Sequence, residues 1–148
     1  MSRINPEQSV IVFDLDDTLY AEYEYKCSGI RAVTALVAKL YPEFGETELL
    51  EKIDADGNGW LDELCALCNF NSEEKKSLLW YYRLHTPVLT PYWHPQKLAA
   101  FIRRFAAAAL ITDGRSLTQR LKLDALGIRC LFDEILVSES SGQEKPDG

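Results

Sequence analysis

Positive charge is in deficit in this chain. Its 148 residues carry 16 Lys and Arg against 23 Asp and Glu, a formal net charge of −7 at pH 7. Nucleic-acid binding rests on a surplus of cations that neutralise phosphates, so this balance argues against that partner class. Long apolar runs are also lacking. No stretch approaches the roughly 20 apolar residues of a membrane span, and no membrane partner is expected. The first apolar run is short and breaks at Asp14, so it does not read as a signal peptide. Cysteine is confined to Cys27, Cys65, Cys68 and Cys130. In a non-secreted, cytoplasmic chain these are expected to be free, mostly buried thiols. Histidine is limited to His85 and His94, which do not fall at a familiar zinc spacing, and Cys65-x-x-Cys68 has no second pair. No internal repeat or low-complexity segment interrupts the chain.

What is present suits a globular protein: 47% apolar and 26% charged residues, enough for one domain or one domain with an insertion. Val10 to Asp14 reads as a first, buried strand. Tyr20 to Tyr41 has helical periodicity, with Ile30, Val33, Leu36, Val37 and Leu40 in one stripe, ended by Pro42 and Gly45. Helices are expected over Thr47–Ile53, over Trp60–Cys68, and from Ser72, a plausible cap, to Leu84. A connector carrying Pro87, Pro91 and Pro95 leads to a helix from Gln96 to Phe105, with Pro95 in its first turn. Ala107–Thr112 reads as a second strand. A helix capped by Ser116 runs to Leu126 and is stopped by Gly127. Glu134–Ser138 is the third strand, followed by a polar loop containing Gly142.

Strands alternating with helices imply an α/β fold with a parallel, Rossmann-like sheet. The helical block before Pro95 is too long for one crossover and reads as an inserted cap. The expected division is a core from residues 1–20 and 95–148, about three strands, and a helical cap over residues 21–94.

The most telling segment is Val10-Ile-Val-Phe-Asp-Leu-Asp-Asp-Thr18. An apolar strand ends abruptly in Asp14, Asp16 and Asp17. Open α/β sheets bind ligands beyond the carboxyl ends of their strands. Clustered carboxylates repel one another, so a cation or a chemical task usually accounts for them.

Asp14-Leu-Asp-Asp-Thr18 resembles the D-x-D-x-T signature of the haloacid dehalogenase-like (HAD) superfamily. Thr112, in Leu110-Ile-Thr-Asp-Gly114, resembles that superfamily's second motif, and Lys145, in Glu144-Lys-Pro-Asp147, its third. The three occur in the right order, each at a strand end or in the loop after one. The resemblance implies that Asp14 is a nucleophile taking a phosphoryl group as an aspartyl phosphate. It implies that Asp16 is the general acid and then the general base. Thr112 and Lys145, with the turn at Asp113 and Gly114, would bind the phosphoryl oxygens. Mg2+ would sit on the Asp14 carboxylate and the Asp16 carbonyl. A carbon–halogen bond expels a halide that needs no proton, whereas an alkoxide needs one. Asp16 therefore favours phosphate-ester hydrolysis of a small phosphorylated metabolite over dehalogenation.

The superfamily's fourth, acidic motif has no counterpart before Gly148, so the expectation is a fragment of a longer protein with impaired catalysis. The first strand would then present an exposed apolar edge, and a second copy of the chain is the expected partner there. A non-catalytic module that keeps the fold is the alternative. A third reading concerns Asp54-Ala-Asp-Gly-Asn-Gly-Trp-Leu-Asp62, which resembles the start of an EF-hand loop but has Cys65 where a bidentate Glu belongs. A polar turn is the blander account of it. Arg83 and His85 could face a substrate, but a solvated helix-end cation and a hinge residue are the favoured readings. Trp60, Trp80, Tyr81 and Trp93 read as cap core.

Overall fold

A computed structural model describes residues 3–141 of the chain. In chain order it contains β1 (Val10–Phe13), α1 (Glu22–Leu40), α2 (Glu46–Lys52), α3 (Trp60–Cys68), α4 (Ser72–Leu84), α5 (Pro95–Ile102), β2 (Ala107–Thr112), α6 (Ser116–Leu126), β3 (Glu134–Val137) and a single turn of helix, α7 (Ser138–Ser141). The described residues form two compact units. One comprises those up to Glu22 and from Val88 onward; the other is Tyr23–Pro87.

The first unit holds an α/β core. Its parallel sheet has the order β1-β2-β3, with Phe13 beside Leu110 and Thr112 beside Val137. Right-handed crossovers that step one way along a sheet place their helices on one face. Burial follows that rule. Ala108, Leu110, Thr112 and Val137 are buried on one face, together with Leu98 and Ile102 of α5 and Leu123 and Leu126 of α6. The other face carries Val10, Val12 and Leu136, which are 60%, 54% and 44% exposed. The first strand is thus not buried on both faces, although its four residues are all apolar. Among the described residues its ladder runs to β2 alone.

Helix ends are set locally. Pro95 opens α5, where its missing N–H costs nothing. Gly127 closes α6 at φ 71°, a left-handed cap that glycine adopts without strain. Two expected caps are corrected. Asn71, not Ser72, caps α4, because its side chain accepts from the Glu74 N–H while Glu74 reaches back to the Asn71 N–H. Ser116 is the first residue of α6 rather than its cap, and the Glu139 carboxylate accepts from its N–H at 3.1 Å. β3 ends at Val137, one residue short of the predicted Ser138, and residues 138–141 form α7 where the end of the strand and a loop are predicted. Gly142 lies outside the described residues.

The second unit is wholly helical. Ile30, Val33 and Val37 of α1 pack with Leu49, Ile53, Trp60, Leu61, Leu64 and Leu78 in one apolar cluster, whereas Leu40 ends the predicted stripe in solvent. Cys65 and Cys68 are buried in this cluster, Cys27 is half-buried and Cys130 is exposed. All four thiols are free, and burial pushes those of Cys65 and Cys68 up. Trp60 belongs to the core, but Trp80 and Tyr81 are about half exposed, and Trp93, also about half exposed, lies in the first unit rather than in this one. No described helix is long and apolar enough to cross a membrane.

The acidic turn before α3 is tied into this unit. Asp54 accepts from the Asp56 N–H and Asp56 from the Tyr23 hydroxyl at 2.7 Å, while Asp62, already in the first turn of α3, pairs with Lys75 at 2.5 Å. These are the bonds of a polar turn.

His85 is buried, with its Nδ1 donating to the Tyr82 carbonyl at 2.5 Å and its Nε2 accepting from the Ser28 hydroxyl at 3.0 Å. Tyr25 and Tyr82 flank the ring, and Arg83 lies over the Trp80 ring. Burial lowers the His85 pKa against the opposing effect of the Tyr82 carbonyl. A folded value below the unfolded one means that the unfolded chain protonates first. His85 therefore contributes stability that is fully present above the ordinary histidine value of about 6.5 and is lost as pH falls from there through the lower folded value. Urea unfolding near pH 8 and near pH 5.5 is expected to show that loss. His85→Gln, neutral throughout, is expected to flatten the pH dependence in this window.

Candidate active site

The carboxyl end of β1 releases the chain into a tight turn. Thr18 and Leu19 both donate backbone N–H groups to the Leu15 carbonyl, at 3.1 and 2.9 Å. Asp17 sits at φ 58°, a left-handed position that aspartate tolerates better than most residues. Its carboxylate accepts from the Glu22 N–H at 2.9 Å and so caps the first turn of α1. The third acid of the cluster thus holds the turn to α1.

Asp14 is exposed, and its Oδ1 accepts from the Leu15 N–H at 2.8 Å. Asp16 is half-buried and closely surrounded. Its Oδ1 accepts from the Tyr20 hydroxyl at 2.5 Å and from Lys122 Nζ at 2.9 Å, and its Oδ2 from Gln119 Nε2 at 3.0 Å. Burial by itself would raise the Asp16 pKa. The Lys122 charge and the hydrogen bonds from Tyr20, Lys122 and Gln119 together outweigh it, so the carboxyl lies below its ordinary value and is ionised at neutral pH. Glu22 is shifted the other way, raised by partial desolvation and by the charges of Asp16, Asp17 and Asp14.

Thr112 ends β2, as expected, and is 1% exposed. Its hydroxyl accepts from Gln119 Nε2 at 2.7 Å and donates to the Asp113 carbonyl at 3.3 Å. Gln119 therefore joins the end of β2 to Asp16 beyond the end of β1. Asp113 and Gly114 are exposed in the following turn, where the Gly114 N–H donates to the Ser138 hydroxyl at 3.0 Å. Gly114 lies at φ 132°, and a Cβ there would stand 3.1 Å from the Gln119 side chain. Only glycine fits that conformation easily, and its missing side chain lets Gln119 approach. Lys145 lies outside the described residues.

Tyr20, Gln119 and Lys122 are the members of this cluster that the sequence reading passes over. A signal for two of them exists. Gln119, Lys122, Leu123 and Leu126 fall at the i, i+3, i+4, i+7 spacing of one helix face, and all four are buried. Two polar residues within an apolar stripe mark a buried polar site.

The chemistry available is that of hard oxygen donors. Both Asp16 side-chain oxygens are engaged by protein donors, so a cation here would meet the Asp14 carboxylate and the Asp16 carbonyl. Magnesium suits such a set, because it keeps several waters and takes few protein ligands. Among the described residues no three His, Cys, Asp or Glu group as a larger metal site.

Comparison with known proteins bears on the family and the fold. The family model described as haloacid dehalogenase-like hydrolase matches residues 11–148. A glyceraldehyde 3-phosphate phosphatase from Methanocaldococcus jannaschii is 32% identical over 147 residues, covering 92% of this chain. The chain spans 64% of that relative's length. Among solved structures, the magnesium-bound HAD-hydrolase YfnB from Bacillus subtilis superposes with a TM-score of 0.60 at 18% identity, covering 95% of this chain and 68% of its own. A 2-haloacid dehalogenase from Pseudomonas syringae pv. Tomato gives 0.56 at 20% identity, with 95% and 68% covered. These two likenesses concern the fold, which serves more than one chemistry. With a three-stranded Rossmann-like sheet, the Asp14-Leu-Asp-Asp-Thr18 turn at its first strand end, and a family match over nearly the whole sequence, the chain belongs to the haloacid dehalogenase-like hydrolases.

Proposed function

We propose that this protein hydrolyses the phosphate ester of a small metabolite through a phosphorylated Asp14. The observation that carries the reading is the contrast between the two acids beyond β1. Asp14 is exposed, while Asp16, two residues on, is fixed by three side-chain donors. This contrast supports giving the attack to Asp14 and the proton transfers to Asp16. The relative at 32% identity, a glyceraldehyde 3-phosphate phosphatase, supports a phosphorylated substrate of metabolite size.

In the first step an Asp14 oxygen attacks phosphorus and the bond to the ester oxygen breaks. The departing alkoxide takes a proton from Asp16, which must first acquire it, since the Lys122 pair favours the carboxylate. In the second step Asp16, again a carboxylate, takes a proton from the water that attacks the phosphoaspartate, and inorganic phosphate leaves. The Thr112 turn, with Asp113 and Gly114, and Lys145 are the groups assigned to the phosphoryl oxygens. Bound magnesium would supply positive charge to the transferring group, on the Asp14 carboxylate and the Asp16 carbonyl.

Phosphate release from an aryl phosphate is expected to depend on magnesium. Chelation is expected to lower it by at least about tenfold, and added magnesium to restore it. Release at the same rate in excess chelator would remove the metal from this account. No release under any condition would favour a module that keeps the fold without the chemistry.

A further inference from the structure

Lys122 is the one lysine or arginine buried among the described residues, at 5% exposure. Its ammonium lies 2.9 Å from Asp16 Oδ1 and 5.9 Å from the centre of the Tyr20 ring, which is itself fully buried. A buried ion pair is weak evidence of a stabilising role, since desolvation of both charges offsets their attraction and an apolar pair of the same size often does as well. Retention of a charge at this place calls for another reason.

Geometry supplies one. Gln119 and Lys122 stand three residues apart on the buried face of α6, so one rigid helix presents two donors to one carboxylate. Lys122 and the Tyr20 hydroxyl meet Oδ1, and Gln119 meets Oδ2 while also bonding the Thr112 hydroxyl. Donors on both oxygens, from two elements of the fold, leave the carboxylate no free rotation. Proton transfer depends steeply on such orientation.

We propose that Lys122, together with Gln119, is a positioning residue for Asp16, and that it makes the protein selective for esters whose leaving group must be protonated. The proposal rests on the phosphatase reading and adds to it a source of leaving-group selectivity. Lys122 does not touch the reacting atoms; it acts through Asp16.

Two substrates separate this role from a structural one. An aryl phosphate such as p-nitrophenyl phosphate expels a stable anion that needs little help from an acid. A simple alkyl phosphate such as glycerol phosphate expels an alkoxide that needs a proton. The quantity to compare is kcat/KM, which reports events through formation of the phosphoaspartate, so that the shared hydrolysis step drops out. In Lys122→Met, kcat/KM for the alkyl ester is expected to fall about tenfold or more through lost orientation of Asp16, although removal of the Lys122 charge favours the acid form of that carboxyl. For the aryl ester it is expected to fall by less than about threefold. Lys122→Gln, which removes the charge but keeps a polar side chain, is expected to show the same bias, and it carries the test if Lys122→Met does not fold. Equal losses on both esters in the variant that folds would overturn the proposal while leaving the phosphatase reading intact. A wild-type protein that hydrolyses neither ester would overturn the phosphatase reading, and this proposal with it.

Discussion

Asp14→Asn is expected to lower phosphate release by about a thousandfold or more, the scale at which loss of a covalent nucleophile is felt. The amide oxygen of asparagine is a poor nucleophile, and the second step then has no phosphoaspartate to work on. Little else should change. Asp14 is exposed, and its Oδ1 accepts from the next residue's N–H. An asparagine carbonyl oxygen can accept the same bond. The urea midpoint of the variant is therefore expected to stay close to that of the wild type while activity is lost. A variant that retains more than about a tenth of the wild-type rate would exclude Asp14 as the attacking group. A variant that loses both activity and fold would show that the β1 turn depends on this carboxylate in a way the Leu15 contact does not account for.

The second large effect is on stability and has the opposite sign to the one helix propensity suggests. Gly29 lies inside α1, where alanine is intrinsically favoured over glycine by about 1 kcal/mol. Its surroundings reverse that. A Cβ at position 29 would stand too close to two Tyr82 ring carbons for any real contact, and 3.1 Å from His85 Cε1. The Tyr82 ring cannot swing away without cost. It packs against Trp60 at 5.2 Å and Tyr25 at 5.4 Å and stacks on His85. Overpacking of this kind costs about 1–3 kcal/mol and occasionally more, enough to outweigh the propensity gain. Gly29→Ala is thus expected to lower the urea midpoint of the Tyr23–Pro87 unit. A raised midpoint would mean that the aromatic cluster yields more readily than its packing indicates.

Much of this fold is legible because local rules and burial agree. Ala107–Thr112 is apolar and short, and Pro95 and Gly127 punctuate α5 and α6 by backbone chemistry alone. Trp60–Cys68 and the end of α4 at Leu84 follow the apolar period. Where two similar residues compete for one role, the sequence is less decisive. Asn71 and Ser72 are both good caps, and only the reciprocal bond with Glu74 selects Asn71. The start of α6 is satisfied by Glu139, 23 residues on, a partner no local rule can name.

The site divides in the same way. Asp14 and Asp16 stand out in the sequence by the abrupt change from an apolar run to clustered acids. Lys122 and Gln119 do not, because a polar residue on a helix reads as solvated until the opposite face is known. Their meaning comes from contact across more than 100 positions of sequence with Asp16. The apolar run of β1 misleads in the other direction. Val10 and Val12 look like interior residues and are exposed, because in the described residues the helices of the first unit lie on the other face of the sheet.

The central claim is covalent catalysis at Asp14, and trapping the intermediate tests it most directly. The protein is mixed with a phosphate ester and magnesium, quenched in acid during turnover and reduced with borohydride, which converts an acyl phosphate to an alcohol. The account predicts homoserine in place of aspartate at position 14 in the digested protein, found only when substrate was present and absent from Asp14→Asn. An unmodified Asp14 during active turnover, or reduction at Asp16 instead, would contradict it.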